Sequence, residues 1–116
     1  MTQKDILFLL APGFEDNGRR EYCPECAEIW GLLSYFPAIL LSIEISYQPI
    51  GKPRTDMVKL LGDENQNCPT LLLVRSHVEG EMIGVKIAGP HCFIDNARDI
   101  GRYFSHLYGT PLPRGD

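Results

Sequence analysis

Two cysteines separated by two residues constrain this chain more than any other feature. They lie in the segment Tyr22-Cys23-Pro24-Glu25-Cys26, which follows a polar stretch and precedes a helix-like pattern. Proline is favoured at the first position of a helix, because its missing N–H would have no partner there. The segment therefore predicts that Cys23 caps a helix and that Cys26 lies in the first turn.

The residues after the motif continue as an amphipathic helix. Apolar side chains recur at spacings of three and four at Cys26, Ile29, Trp30 and Leu33. This pattern forms one apolar face of a helix, and Pro37 ends it because proline cannot continue a helix. Cys26 lies on the apolar face, so we expect it to be more buried than Cys23.

Cys23 is the candidate nucleophile of a thiol–disulfide exchange. Unpaired N–H groups and the positive end of the helix dipole favour a thiolate at a helix start, and a C-x-x-C pair acts in the same direction. Arg19 and Arg20 would add to this effect if their loop folds back, whereas Glu25 would oppose it. Cys23 would attack a substrate disulfide, and Cys26 would resolve the mixed disulfide.

The same pair of cysteines permits two other interpretations. Two thiols at this spacing form half of a zinc site, although a zinc knuckle usually has a glycine after the second cysteine. Here Ala27-Glu28-Ile29-Trp30 continue the helix instead, which favours the redox geometry. Alternatively, the cysteines are unreactive and serve as small apolar side chains.

The rest of the chain alternates strands and helices. Apolar or alternating runs predict four strands, at 5–10, at 41–47, within 68–74 and at 82–88. Besides the helix after Cys23, we expect a short helix that Thr55 caps and Gly62 ends, and a final helix that Asp95 caps and Gly109 ends. Residues 14–21 are polar and aperiodic, which predicts a surface loop, and 76–81 predict a hairpin turn.

Size and charge exclude several classes of protein. The chain has 116 residues, a net charge of −4 and a pI near 5.3, which predicts one domain over 1–116 and no nucleic-acid partner. No apolar run approaches the 18 to 20 residues, roughly, of a membrane span, and 6–10 are too few for a signal-peptide core. We therefore expect a cytoplasmic protein, where structural disulfides are rare. Its oligomeric state stays open.

The predicted order β-α-β-α-β-β-α resembles the thioredoxin-like fold, as in glutaredoxins and the N-terminal domain of glutathione transferases. Cys23-Pro24-Glu25-Cys26 is similar to the glutaredoxin Cys-Pro-Tyr-Cys, with glutamate in place of tyrosine. Pro69 precedes a buried strand, where this superfamily has its cis-proline, and Pro69-Thr70-Leu71 is a common continuation in thioredoxins. Residues 92–109 resemble the last helix of the transferase domain. More closely, the chain looks like a family of small, uncharacterised bacterial proteins assigned to this superfamily.

The resemblance implies an α/β fold with a four-stranded mixed sheet, helices on both faces, and thiol–disulfide oxidoreductase activity. It implies a cis peptide before Pro69 and backbone groups there that pair with an extended protein or small-molecule substrate. Cys68, Tyr22 and Pro24 join Pro69 as expected substrate-binding residues. No bound cofactor is required, and glutathione is a candidate co-substrate.

The chain also departs from the pattern of the superfamily. Residues 11–22 form a longer loop than glutaredoxins have before the motif, and 110–116 are expected to be a loosely docked tail. Transferases bind glutathione through a Glu/Gln-Ser pair, and Ile94-Asp95 stand in its place, which argues against glutathione binding. We expect no helical second domain of the transferase type, which argues against a full transferase.

If the resemblance holds, Cys68, His91 and Cys92 lie at the same end of the sheet as Cys23 and Cys26. Four thiols and an imidazole there are a ligand set for zinc or an iron–sulfur cluster. This set defines the first alternative function, a metal-binding protein. The second alternative is a non-catalytic interaction module that kept the fold and lost the chemistry.

Overall fold

The computed structural model describes residues 3–74 and 84–115. Within these residues the chain forms three α-helices and seven strands. The helices are α1 (Pro24–Tyr35), α2 (Thr55–Leu61) and α3 (Ala97–Tyr108). The strands are β1 (Asp5–Leu10), β2 (Phe14–Asp16), β3 (Arg19–Glu21), β4 (Ile43–Gln48), β5 (Thr70–Leu73), β6 (Lys86–Ala88) and β7 (His91–Ile94). A short 3₁₀ helix, Pro37–Leu41, links α1 to β4.

Five of the strands form one mixed sheet in the order β4-β1-β5-β7-β6. β1 and β4 are parallel, whereas β5, β7 and β6 each run antiparallel to the strand before them in this order. The predicted α/β class is confirmed. The sheet has five strands among the described residues, not the predicted four.

Helices cover both faces of the sheet, which explains why β1 is apolar on both sides. α1 and α3 pack against each other on one face, where the Tyr103 hydroxyl donates to Asp5 Oδ2 at 3.4 Å. On the other face, Lys59 and Leu60 of α2 line a cavity with Ile6 and Phe8 of β1. The core lies between these layers.

The segment after β1 is a β-hairpin and not the predicted loop. β2 and β3 pair antiparallel around Asn17 and Gly18, whose φ values are 54° and 72°. Asn-Gly is the strongest short hairpin signal, because both residues tolerate positive φ. Arg19 pairs with Glu21 at 2.7 Å within the hairpin.

The end of the sheet also differs from the prediction. The predicted strand over 82–88 is present in part as β6, whereas the predicted hairpin turn at 76–81 lies outside the described residues. Gly89 and Pro90 form a tight turn in which Gly89 has φ 57°. The chain then returns as β7, which is the strand that pairs with β5.

The three helices agree with their predicted spans, apart from two caps. Thr55, the predicted cap of α2, is its first helical residue, and Arg54 takes the N-cap position. α3 is capped by Asn96, not by the predicted Asp95, because the Asn96 side chain accepts the Asp99 N–H at 2.9 Å. Gly109 ends α3 in the left-handed conformation, as predicted. None of the helices in the described parts of the chain has both the length and the apolar character needed to cross a membrane.

The C-terminal tail, which was predicted to be loosely docked, contacts α3 at two places. Arg98 Nη1 donates to the Arg114 carbonyl at 2.8 Å. A Cβ at Gly101 would lie 3.0 Å from Pro113 Cγ, so the small glycine lets the tail approach the helix. These contacts place Pro113 and Arg114 beside α3.

Candidate functional site

One end of the sheet brings the motif and Pro69 together. In the parallel pair, Leu10 at the end of β1 lies opposite Gln48 at the end of β4. β5 runs the other way, so Thr70 at its start lies opposite Phe8. The carboxyl end of β1, the N-terminus of α1 and the Cys68-Pro69 segment therefore meet at this end of the sheet, which we call the thiol end.

Cys23 takes the helix-capping position predicted for it. Its backbone is extended, with φ −82° and ψ 114°, and Sγ accepts the Cys26 N–H at 3.2 Å. The Sγ atom also lies 3.8 Å from the Cys68 carbonyl oxygen. The thiol is half-buried, and it connects the start of α1 to the segment before β5.

Cys26 is the buried member of the pair. Its side chain is only 5% exposed, and Sγ accepts the Leu10 N–H at 3.5 Å. Burial raises the pKa of the Cys26 thiol from its ordinary value of 9.0 to about 12. The hydrogen bond with Cys23 and the nearby Cys23 and Cys68 thiols also raise this pKa, whereas the Leu10 N–H lowers it.

Cys68 presents its backbone to Cys23 and its thiol to the core. Its Sγ lies 3.7 Å from Met57 Sδ on α2, and burial raises the pKa of the thiol to about 11. The charge of Arg54 opposes this rise. Arg54 is itself buried, and its guanidinium donates to the carbonyls of Pro49 and Ile50, each at 2.9 Å.

The peptide bond between Cys68 and Pro69 is cis, as the resemblance implied. A second cis peptide, between Lys52 and Pro53, was not predicted. Thr70 follows Pro69 as the first residue of β5, and its hydroxyl donates to the Asn67 carbonyl at 2.6 Å. Because the Cys68 carbonyl lies 3.8 Å from Cys23 Sγ, the cis Cys68-Pro69 peptide is beside this thiol.

A groove of about 290 Å³ opens beside the two thiols. Its lining consists of apolar, aromatic and thiol side chains: Leu10, Ala11, Pro12, Tyr22, Cys23, Cys26, Ala27, Trp30 and Tyr47. We call this the aromatic groove. Tyr22 was predicted as a site residue and lies in the lining, whereas Pro24 begins α1 outside it.

Trp30 and Tyr47 also line this groove, although neither was predicted as a site residue. Tyr47 is exposed and is the last residue but one of β4, a strand parallel to β1. Trp30 follows Cys26 by one helical turn. These positions are the signal that could have placed both rings beside the motif, given a parallel β1–β4 pair.

The comparisons with known proteins give a family but no activity. Residues 4–112 match the model of a family described as "Protein of unknown function (DUF3088)". The chain belongs to the DUF3088 family. No curated protein and no solved structure matches the chain.

In this DUF3088 chain, His91 and Cys92 lie at the opposite end of the sheet from the motif, contrary to the prediction. Cys92 pairs with Leu73 at the far end of β5, and His91 lines a cavity with Lys4 and Val74. The physical reason is the Gly89-Pro90 turn, which adds a strand and so reverses the direction of the chain. The predicted five-residue metal set does not assemble, and residues 3–74 and 84–115 contain no group of three His, Cys, Asp or Glu side chains placed to hold a metal.

The start of α3 lies close to the start of α1 in the DUF3088 chain. Glu25 Oε1 is 3.5 Å from the Ala97 N–H, so this carboxylate is directed towards α3. Asp95 pairs with Lys86 at 2.9 Å, and Asn67 donates to the Asp95 carbonyl at 2.7 Å. Ile94 is therefore buried in the core, and the Asp95 side chain is held in an ion pair.

Proposed function

We propose that this DUF3088 protein is a thiol–disulfide oxidoreductase with a thioredoxin-like fold. The sheet order β4-β1-β5-β7, with one parallel and two antiparallel pairs, supports this fold. The packing of α1 and α3 together on one face supports it as well. β6 then extends the four-stranded sheet of that fold by one edge strand.

The observation that carries the activity is the unequal placement of two thiols three residues apart. Cys23 is half-buried at the start of α1, where N–H groups and the helix dipole stabilise a negative charge. Cys26 is 5% exposed and has a raised pKa of about 12. One thiol is accessible to a substrate, and the other stays protonated behind it.

In the first step, the Cys23 thiolate attacks one sulfur of a substrate disulfide. A bond forms between Cys23 Sγ and that sulfur, the substrate S–S bond breaks, and the second substrate sulfur leaves as a thiolate. The substrate chain binds along the backbone beside Pro69, as an added strand. The Cys68 carbonyl, 3.8 Å from Cys23 Sγ, marks how close that backbone is to the reacting atom.

In the second step, Cys26 loses its proton to the departing thiolate or to water and attacks Cys23 Sγ. This forms the Cys23–Cys26 disulfide, breaks the bond between Cys23 Sγ and the substrate sulfur that it had attacked, and releases that sulfur as a thiol, so the substrate gains two electrons and the pair loses two. Burial is the largest cause of the raised Cys26 pKa, followed by the hydrogen bond with Cys23. The mixed disulfide removes the charge of Cys23, which is one of the smaller causes of the raised pKa of Cys26, whereas the effect of burial remains.

The cycle closes when two molecules of glutathione or another small thiol reduce the Cys23–Cys26 disulfide and leave joined as their own disulfide, and it uses no bound cofactor. The four cysteines are free thiols, which is consistent with our proposal that the protein works in the cytoplasm. Its substrates are protein or small-molecule disulfides.

Trapping of a mixed disulfide tests this function. Cys26→Ser protein, incubated with a protein disulfide such as oxidised insulin, should accumulate a covalent adduct on Cys23 that dithiothreitol releases. Cys23→Ser protein should accumulate none, and the two are matched because each removes one sulfur atom. Equal adduct formation by both variants, or none by either, would contradict the assigned roles.

A further inference from the structure

Cys23 has different surroundings on its two sides. β1 lies between β4 and β5 in the sheet. Pro69 precedes β5, whereas Tyr47 of the aromatic groove belongs to β4. The groove is therefore on the side of Cys23 away from Pro69, and a substrate backbone paired beside Pro69 leaves it open.

The aromatic groove suits an apolar side chain. Tyr22, Trp30 and Tyr47 supply three rings, and aromatic faces bind apolar and aromatic groups through large contact areas. Tyr22 is 64% exposed and Tyr47 47% exposed, so both rings have surface left to bury. The volume of about 290 Å³ lies near the lower limit of ligand pockets, which suits one large side chain better than a whole cofactor.

The position of the thiols shows what the occupant is attached to. Cys23 and Cys26 are themselves part of the lining, so a group in the groove is adjacent to the sulfur that Cys23 attacks. Glutathione carries two carboxylates. Among the described lining residues of the groove, none has a charged side chain that could pair with them. Moving a charge into such a site without a partner is costly.

We propose that the aromatic groove selects protein disulfides in which a bulky apolar or aromatic residue neighbours the reacting cysteine. This inference rests on the proposed oxidoreductase activity and names its substrate class. The apolar side chain enters the groove while the backbone binds on the Pro69 side. The substrate is then held on both sides of Cys23, and this orients the substrate sulfur for attack by Cys23.

Two synthetic peptides test the proposal. Each carries one cysteine as a mixed disulfide with 2-mercaptoethanol, and the residue next to that cysteine is phenylalanine in one peptide and serine in the other. Bis(2-hydroxyethyl) disulfide serves as a third substrate, too small to need the groove. The wild-type chain should reduce the phenylalanine peptide with a kcat/KM about tenfold or more above that of the serine peptide.

Variants then assign the preference to the groove. Tyr22→Ala should reduce the ratio of the two kcat/KM values to about threefold or less, and Ala27→Glu, which adds a charge at an exposed helical position in the lining, should do the same. Tyr35→Ala is the matched control, because Tyr35 is 81% exposed and lies outside this groove. It should leave the ratio at its wild-type value.

Equal kcat/KM values for the two peptides, with the small disulfide still reduced, would overturn the groove proposal and leave the oxidoreductase function intact. A preference that survives in both groove variants would also overturn it. Failure to reduce any of the three disulfides would overturn the proposed function, and the substrate class with it.

Discussion

The two ends of the sheet carry similar residue types in different surroundings. At the thiol end, Cys23 and Cys26 meet the start of α1, and the Leu10 N–H points at Cys26 Sγ. At the other end, Cys92 lies in a hairpin between Leu73 and Ile87 of the neighbouring strands. This contrast indicates that the helix start and the N–H groups directed at the sulfur atoms define the candidate site. The presence of cysteine alone does not define it.

Removing one sulfur from each end should produce the largest difference. We expect Cys23→Ser to lower the rate of disulfide reduction to background, a loss of about 1,000-fold or more, because the nucleophile is gone. Cys92→Ser should keep the rate within about twofold of wild type. Insulin reduction with dithiothreitol as electron donor measures both. A comparable loss of reduction rate in both variants would contradict the functional difference that we infer between the two ends of the sheet.

Alkylation should separate the thiols within the molecule. The pKa values of Cys26 and Cys68, raised by burial to about 12 and about 11, leave very little thiolate at pH 8. We expect iodoacetamide to modify both roughly 100-fold or more slowly in the folded protein than in denaturant. Peptide mass spectrometry resolves each site, and half-buried Cys92 is the internal comparison. Cys26 or Cys68 labelling as fast as Cys92 would contradict their burial.

The raised pKa values also predict how stability depends on pH. Folded Cys68 holds its proton up to about pH 11, whereas the unfolded thiol releases it near pH 9.0. This contribution to stability is therefore complete below pH 9 and is lost as the pH rises towards 11, by at most about 1.4 kcal/mol per pH unit.

Urea unfolding at several pH values from 8 to 11 measures this slope. Cys68→Ala should make the fall in unfolding free energy less steep by up to that amount. Cys92→Ala is the control for tyrosine and lysine titration. An unchanged slope in Cys68→Ala would show that the thiol does not titrate as inferred.

Much of the thiol end could be predicted from the sequence, because its features are local. Pro24 after Cys23 predicts the start of α1, and the spacing of Cys26, Ile29 and Leu33 predicts which face is buried; all three are buried in the structure. Gly109 predicts the end of α3 for an equally local reason, the positive φ that glycine tolerates. Such signals depend only on residues a few positions apart.

The other end of the sheet could not be predicted in the same way, because it depends on pairing between distant strands. Gly89 and Pro90 permit either a break or a tight turn, and only pairing of β7 with β5 selects the turn. That one choice carries Cys92 away from Cys23. The aromatic groove also depends on pairing between distant strands, because the parallel register of β4 with β1 brings Tyr47 to the same groove as Trp30. The β2–β3 hairpin differs, because its Asn17-Gly18 signal was present in the sequence.

The most direct test of the central claim is a redox titration of the Cys23–Cys26 pair in glutathione buffers, read by alkylation and mass. A two-electron transition between about −120 and −270 mV, the range of thiol–disulfide proteins, is the predicted result. It should disappear in Cys26→Ser and persist in Cys92→Ser. A pair that stays reduced at every potential would contradict the proposal that these two thiols exchange disulfides.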